Sequence, residues 1–347
     1  MTRRVLIVGY GSIGQRHLRI VRESLPQADL RVLRRTDDGE AVQRADGCFT
    51  SLDQALAFKP QVTIIASPSP FHIDTALVLA RQGCHLLVEK PLSDTTERVP
   101  LLLAAARQQG IVLQVGYNLR FQPSLLDFRQ QVQSGRVGRI LSVRCETGQH
   151  LEAWRPGTDY RVGVSARREL GGGVLLELSH ELDYLRWIFG EALWVSAWTG
   201  KQSLLEIDVE DTAHLLLGLA DKAQPSGTSS TVVALTLDFL RRDAVRRCTA
   251  VGDTGSLVWD GILGTVQLYT LAGGWQLVFQ KPPERDQTYR EQWRHFLNCV
   301  DSGASSLASG YEGLAVLDLI QAARRSAAQD CARVHIHQTE PEIAALG

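Results

Sequence analysis

The chain of 347 residues sets 37 Lys+Arg against 38 Asp+Glu, a formal net charge of -1, with 44% apolar residues. That composition supplies a buried core and excludes a disordered polyelectrolyte or a low-complexity chain. Near-neutrality also removes the global attraction that draws a protein to nucleic acid or to an anionic membrane.

At ~100 to 200 residues per domain the length predicts two domains. Apolar runs are only a few residues long, against the ~20 that span a bilayer, and Arg3-Arg4 lead straight into Val5-Leu6-Ile7-Val8. Neither a transmembrane helix nor a signal peptide is expected. The six cysteines (Cys48, Cys84, Cys145, Cys248, Cys299, Cys331) lack C-x-x-C spacing. They are expected to be core residues of a protein in a reducing compartment, the cytoplasm.

In chain order, residues 4–8, 30–33, 61–66, 85–88 and 111–115 read as strands. Between them 13–24, 51–57, 73–82 and 96–108 have helical spacing, with Gly83 and Gly110 where C-terminal caps belong. This alternation predicts a doubly wound parallel sheet over 1–121. Over 122–347 the rhythm changes to one helix (124–133) and longer strands at 139–147, 193–200, 211–219, 231–240, 246–251 and 256–259. Turns such as Gln224-Pro225-Ser226-Gly227 and Gly252-Asp253-Thr254-Gly255 separate several of them. Helices at 174–189, 287–299 and 311–328 and a terminal strand at 333–337 complete an α+β domain with a large, mostly antiparallel sheet. No linker rich in Pro, Gly or Ser separates the halves, so they are expected to pack around a cleft.

Gly9-Tyr10-Gly11-Ser12-Ile13-Gly14 follows the first strand and opens a helix. Its glycines allow a tight turn and a close approach to a pyrophosphate, while the helix N-terminus faces the anion. About 20 residues on, where an acid would take a ribose 2'-hydroxyl and an arginine a 2'-phosphate, the second strand ends in Arg34-Arg35. This predicts NADP over NAD. The alternatives are two solvated arginines, or Asp37, followed by Asp38, curling back to the ribose.

At Ala66-Ser67-Pro68-Ser69-Pro70-Phe71-His72, Glu89-Lys90-Pro91, Gly116-Tyr117-Asn118-Leu119-Arg120-Phe121 and Gly171-Gly172-Gly173 before a His-bearing helix, the chain resembles the Gfo/Idh/MocA oxidoreductases. The resemblance runs through essentially the whole chain. It implies an N-terminal Rossmann domain, a substrate and oligomerisation domain, and a homodimer or homotetramer. It further implies Ser67, Pro68, His72, Glu89, Lys90 and Asn118 as cofactor neighbours beside Gly9, Gly11, Ser12, Ile13 and Gly14. Tyr117 and Arg120 are implied as substrate neighbours. Gly11-Ser12-Ile13-Gly14-Gln15-Arg16-His17 and Leu178-Ser179-His180-Glu181-Leu182-Asp183 resemble members associated with bacterial surface-sugar and nonulosonic (sialic-type) acid clusters.

Lys90 follows a strand at the sheet edge where ligands of such folds bind. It is read as the group that hydrogen-bonds a substrate hydroxyl, the alternative being a surface lysine paired with Glu89. On a helix over 174–189, Leu175, Leu178, Leu182, Leu185 and Phe189 form one stripe. His180 points almost opposite, with Leu176 and Trp187. Glu177 and Asp183 flank it at spacing three, placed to orient it and tune its proton affinity. His180 is read as the acid/base, against a plain buried histidine satisfied by Glu177. The family's Asp-x-x-x-His is not kept, so the role of Glu177 stays open.

Trp154, Tyr160, Arg161, Arg167 and Arg168 suit either a loop over a sugar or a domain interface. His150 with Glu152 and His335 with His337 recruit no third ligand, so no metal is expected. These readings converge on an NAD(P)-dependent dehydrogenase of a sugar-type alcohol. Two rivals stay open: a tightly bound-cofactor enzyme that uses transient oxidation for elimination or glycosidic cleavage, and a non-catalytic NAD(P)-binding regulator.

Overall fold

The computed structural model describes residues 2–35, 42–154, 157–220 and 230–336. Asp37, Asp38, the Gln224-Pro225-Ser226-Gly227 turn and His337 lie outside the described residues. The chain divides into two compact units, Met1–Asn118 with Asp286–Leu317, and Leu119–Arg285 with Asp318–Gly347.

The first unit is built on a six-stranded parallel sheet. Its elements are β1 (Arg4–Val8), α1 (Ser12–Ser24), β2 (Asp29–Leu33), β3 (Gly47–Phe49), α2 (Leu52–Ala57), β4 (Val62–Ile65), α3 (His72–Arg81), β5 (His85–Val88), α4 (Val99–Gln108) and β6 (Leu113–Val115). The strand order is β3-β2-β1-β4-β5-β6, and every pairing is parallel. Val5, Leu6, Ile7, Ile64, Leu86 and Leu87 have no exposed surface, as expected of strands covered on both faces. β3 was not expected, since three residues are too few to carry an alternation.

The helix at Gln287–Ser302 is a further correction. Expected in the second domain, it belongs to the first unit, where Trp293 and Phe296 share a core with Val5, Ile7, Leu18, Leu30 and Val62. Its amphipathic pattern announces an apolar face but not the sheet that receives it.

In the second unit α5 (Pro123–Gln133), β7 (Ile140–Gly148), α6 (Leu151–Trp154), α7 (Val174–Glu177) and α8 (Ser179–Phe189) precede a run of strands. These are β8 (Ala192–Gly200), β9 (Thr212–Ala220), β10 (Ser230–Asp238), β11 (Val245–Gly252), β12 (Gly255–Asp260), β13 (Thr265–Thr270) and β14 (Gly274–Gln280). The chain closes with α9 (Gln287–Ser302), α10 (Gly310–Ala328) and β15 (Val334–His335). The nine-stranded sheet runs β14-β13-β12-β11-β7-β10-β9-β8-β15, and all pairs but β7–β10 are antiparallel. Ala213, Leu215, Leu217 and Leu219 of β9 and Val233, Leu235 and Leu237 of β10 fill its covered face. α5 packs on β12 to β14, and α7 and α8 on β9. The β13–β14 hairpin extends the sheet beyond the expected strands. β14 is an edge strand with Trp275 and Leu277 turned to solvent, so its sequence carries no inward apolar stripe.

All six cysteines are free thiols; Cys84, Cys145, Cys248 and Cys299 are buried, while Cys48 and Cys331 are only half-buried. Among the described residues no helix is long and apolar enough to cross a membrane.

Candidate active site

Five of the sequence-derived segments come together along the C-terminal edge of the parallel sheet. Hydrogen bonding continues past the strand ends there. Gly9 N–H donates to Leu33 C=O (2.9 Å), Ala66 to Val8 (2.8 Å), Glu89 to Ile65 (2.9 Å), Gly116 to Val88 (2.7 Å) and Arg34 to Phe49 (3.0 Å). The exits of β1, β2, β4, β5 and β6 are thereby held in register. In open parallel sheets this edge, at the reversal of strand order between β1 and β4, is where ligands bind.

The glycine loop needs its glycines. Gly9 has φ 91°, and a Cβ there would lie 2.8 Å from the Ala66 carbonyl oxygen; at Gly14 a Cβ would strike the Gly9 carbonyl. α1 begins after Gly11 with no side-chain cap and no acid in its first turn. Its first amides are therefore left to an external anion, and Gly11 and Ser12 are exposed while Ile13 is half-buried. This donor set fits a dinucleotide pyrophosphate. Arg34 is half-buried and Arg35 exposed at the β2 exit. Half-buried Ser67 and Pro68 follow β4.

His72, expected beside the cofactor, is instead 1% exposed. Its Nε2 lies 2.7 Å from the Ser67 carbonyl and its Nδ1 3.1 Å from that of Pro91, so the ring is packed between the β4 exit and the β5 exit, and its one N–H serves one of the two carbonyls. Burial lowers its proton affinity. Asn118 is also buried, its amide donating to Thr288 Oγ1 at 2.8 Å.

Lys90 is half-buried and its bond to Pro91 is cis. Glu89 does not lie on the surface as a partner for the lysine head. It is 7% exposed and accepts a 2.6 Å hydrogen bond from Nε2 of His17, itself fully buried on α1. Burial acts to raise the Glu89 carboxyl, but the His17 hydrogen bond and charge and the Lys90 charge hold it below its ordinary range. Tyr289 of α9 meets the His17 ring edge-on, with centroids 5.5 Å apart. Burial, aided by the Glu89 charge, pushes that phenol up to about 12. The sequence reading missed His17, although Gly14, His17, Leu18 and Val21 form the buried face of α1 at helical spacing. That stripe was the available signal.

In the second unit the expected helix over 174–189 is broken at Leu178 (φ -99°, ψ 31°) into α7 and α8. Glu177 ends α7, so the continuous phase that set it three residues before His180 does not carry across. Its carboxylate accepts from Ser165 Oγ at 3.0 Å. His180, half-buried, is the second residue of α8. Asp183 shares that helix but is 1% exposed, and its two oxygens accept from Nε (2.9 Å) and Nη2 (2.7 Å) of Arg120. Expected to tune His180, Asp183 is part of a bidentate ion pair. Arg120, expected to meet substrate, is likewise 1% exposed, and Tyr117 is fully buried.

The triple glycine lies beneath the preceding loop. Cβ atoms at Gly172 would meet the carbonyls of Ser165 (2.8 Å) and Arg167 (2.9 Å), and at Gly173 (φ 101°) the Glu210 carboxylate. Trp154 Nε1 donates to Gln149 C=O (3.0 Å), and the Tyr160 hydroxyl accepts from Glu206 N–H (3.1 Å). Arg161 pairs with Asp159 at 2.8 Å and with Glu206 at 3.4 Å. His150 lies 3.6 Å from Glu152, and His335 sits on β15.

The strand order, the glycine turn and the uncapped helix define the class: a Rossmann-type dinucleotide-binding fold. Comparison with known proteins carries this further, since residues 3–117 match the family model described as oxidoreductase family, NAD-binding Rossmann fold, and residues 125–258 match the GFO/IDH/MocA C-terminal domain. The chain belongs to the Gfo/Idh/MocA family. It is 26% identical over 349 residues to an inositol 2-dehydrogenase of Rhizobium meliloti (strain 1021), covering 95% of this chain and 98% of the relative. Among solved structures, a levoglucosan dehydrogenase in complex with NADH shares the fold at TM-score 0.83 and 21% identity, covering 97% of this chain and all of that one. GenD2 from gentamicin A biosynthesis, in complex with NAD, matches at TM-score 0.79 and 26% identity, with 97% of each chain covered.

Proposed function

We propose that the protein is an NAD(P)-dependent dehydrogenase that interconverts a secondary alcohol and its ketone on a sugar, inositol, nucleotide sugar or nonulosonic acid. The observation that carries this reading is Lys90, half-buried on the same sheet edge as the glycine loop and directly after the buried Glu89. A nicotinamide held here would supply the two-electron chemistry, accepting hydride from the carbinol carbon or returning it. Lys90 Nζ donates to the carbinol oxygen and stabilises the negative charge that develops there. His180 removes the hydroxyl proton, and returns it when the ketone is reduced. A regulator needs neither group. The six free thiols fit a reducing, cytoplasmic setting.

Single-turnover oxidation followed by nicotinamide absorbance tests the assignment. His180→Ala is expected to slow it by ~100- to 10,000-fold, the usual contribution of a positioned acid/base, and Lys90→Met to depress it as well. Cofactor affinity should hold in His180→Ala. A near wild-type rate in His180→Ala across neutral pH would make His180 a structural residue and turn attention to Glu177 or Tyr160.

The cofactor choice rests on Arg34 and Arg35 at the β2 exit, and we read it as a preference for NADP. The relatives with bound NADH or NAD make titration the deciding measurement. NADP(H) should bind more tightly than NAD(H), and Arg34→Ala should erase the difference. Equal or better NAD(H) affinity, with both unchanged in Arg34→Ala, would overturn the preference.

A further inference from the structure

We infer that His17 and Glu89 form a buried positioning pair that fixes the seat of Lys90, and that this is what Glu89 does in place of contacting the cofactor. The inference rests on the dehydrogenase reading, in which Lys90 meets the substrate oxygen.

The Glu89 carboxylate and the imidazole that holds it are enclosed by three elements of the first unit. From α1, His17 Nε2 donates to Oε1 at 2.6 Å. From the β6 exit, the backbone at Gly116 presses so close that a Cβ there would stand 2.8 Å from Oε2 and 3.0 Å from the Glu89 Cα. From α9, Tyr289 backs the imidazole edge-on. Oε2 in turn accepts the Lys90 backbone N–H at 3.3 Å. An ionised carboxylate is acceptor-only, so the proton of the short contact belongs to His17. The Nδ1 of His17 has no hydrogen-bond partner among the described residues. Its polar anchorage is therefore the bond to Glu89.

Burying such a pair costs desolvation that its mutual attraction roughly offsets, and apolar side chains of similar volume would often serve stability as well or better. Stability alone therefore does not account for a charge at this position. Two consequences of the pair act on the next residue. A fixed negative charge stands beside the lysine, and the hydrogen bond ties the β5 exit to the helix that follows the glycine loop. Displacing the β5 exit, which carries Lys90, by even ~1 Å can cost ~100-fold in rate. His17 and Glu89 touch neither cofactor nor substrate in this account; they act through Lys90.

The test uses three substitutions in the full chain. His17→Gln keeps an N–H donor near the position of Nε2, His17→Leu removes it, and Glu89→Gln removes the charge at constant shape. The sequence contains only five lysines, Lys59, Lys90, Lys201, Lys222 and Lys281. Reductive 13C-methylation thus gives a short spectrum in which Lys90→Arg identifies the Lys90 signal. In His17→Leu and Glu89→Gln the chemical shift of that signal should move while the other four hold, and His17→Gln should restore the wild-type position. With substrate, kcat should fall by up to ~100-fold in His17→Leu with KM for the cofactor within about twofold, and His17→Gln should recover most of the loss.

An unmoved Lys90 signal in Glu89→Gln and His17→Leu overturns the inference. If His17→Leu fails to fold, Glu89→Gln and His17→Gln still decide. If the wild-type protein oxidises no sugar-type alcohol, the dehydrogenase reading fails separately, because the lysine spectra need no turnover.

Discussion

Glu89 and His72 are polar side chains placed where water does not reach, and both couple the protein's stability to pH. Burial alone would raise Glu89, yet His17 and the Lys90 charge hold it below its ordinary value of 4.5. The native state thus binds fewer protons there than the unfolded chain. Its contribution to stability is complete above that value and is lost as pH falls through the depressed native one. His72 is lowered from 6.5 by burial, so its neutral native form gives stability above 6.5 that fades as the unfolded imidazole becomes protonated. The titratable groups around Glu89 are His17, Lys90, His72 and Tyr289, with Arg16 4.8 Å from the Tyr289 ring and paired with Asp286 at 3.0 Å. Urea unfolding across pH should therefore show a decline that begins near 6.5 and a second below 4.5. In Glu89→Gln the arm below 4.5 should flatten while the upper one stays. An unchanged lower arm would mean that other carboxylates produce it.

Helix α8 shows what an element adds to its residues. Asp183 and Arg120 are each 1% exposed, and the guanidinium lies 5.3 Å from the Trp187 ring one turn further on. Removing one partner of such a pair leaves a buried charge and costs about 3–5 kcal/mol. Arg120→Met should destabilise by that order, and Arg120→Met with Asp183→Leu should recover much of it in a double-mutant cycle read by urea denaturation. Full additivity of the two losses would argue against a coupled pair.

Most of the parallel sheet around the candidate site is legible in the sequence because β1, β4 and β5, buried on both faces, are nearly continuous apolar runs, and these strands and β6 leave into turns marked by glycine or proline. The break between α7 and α8 is not, because Leu178 is a good helix former and the apolar spacing runs through it. The start of α7 is equally hidden, because it is set by contacts distant in sequence: Gly172 and Gly173 lie under the 163–170 loop, and Glu210 takes the Val174 and Leu175 amides. The burial of Arg120 is hidden for the same reason, since its partner lies 63 residues away.

At the scale of the whole molecule, the nine-stranded sheet presents a second face. The β-register sets Trp198 opposite His214, Ala234 opposite Leu216, and Trp275 opposite Tyr269, all on the side away from the buried stripe. Leu216 is 48% exposed, Trp275 55% and Leu277 53%. Single exposed apolar residues are ordinary, but two apolar clusters on this one face, Trp198 with Leu216 on β8 and β9 and Tyr269 with Trp275 and Leu277 on β13 and β14, with Arg144 of β7 and Arg247 of β11 between them, make a surface that soluble monomers rarely leave open. A second copy of the same sheet is its simplest cover, because an isologous contact sets one patch against itself. Sedimentation at micromolar concentration should show a homodimer or homotetramer. Leu216→Asp combined with Trp275→Ser should shift it toward monomer without changing the unfolding of the covered core, since both side chains already face water in a single chain. A wild-type monomer under these conditions would mean that the face does not serve self-association. A double mutant with undiminished assembly would place the contact on other strands of the sheet or outside it.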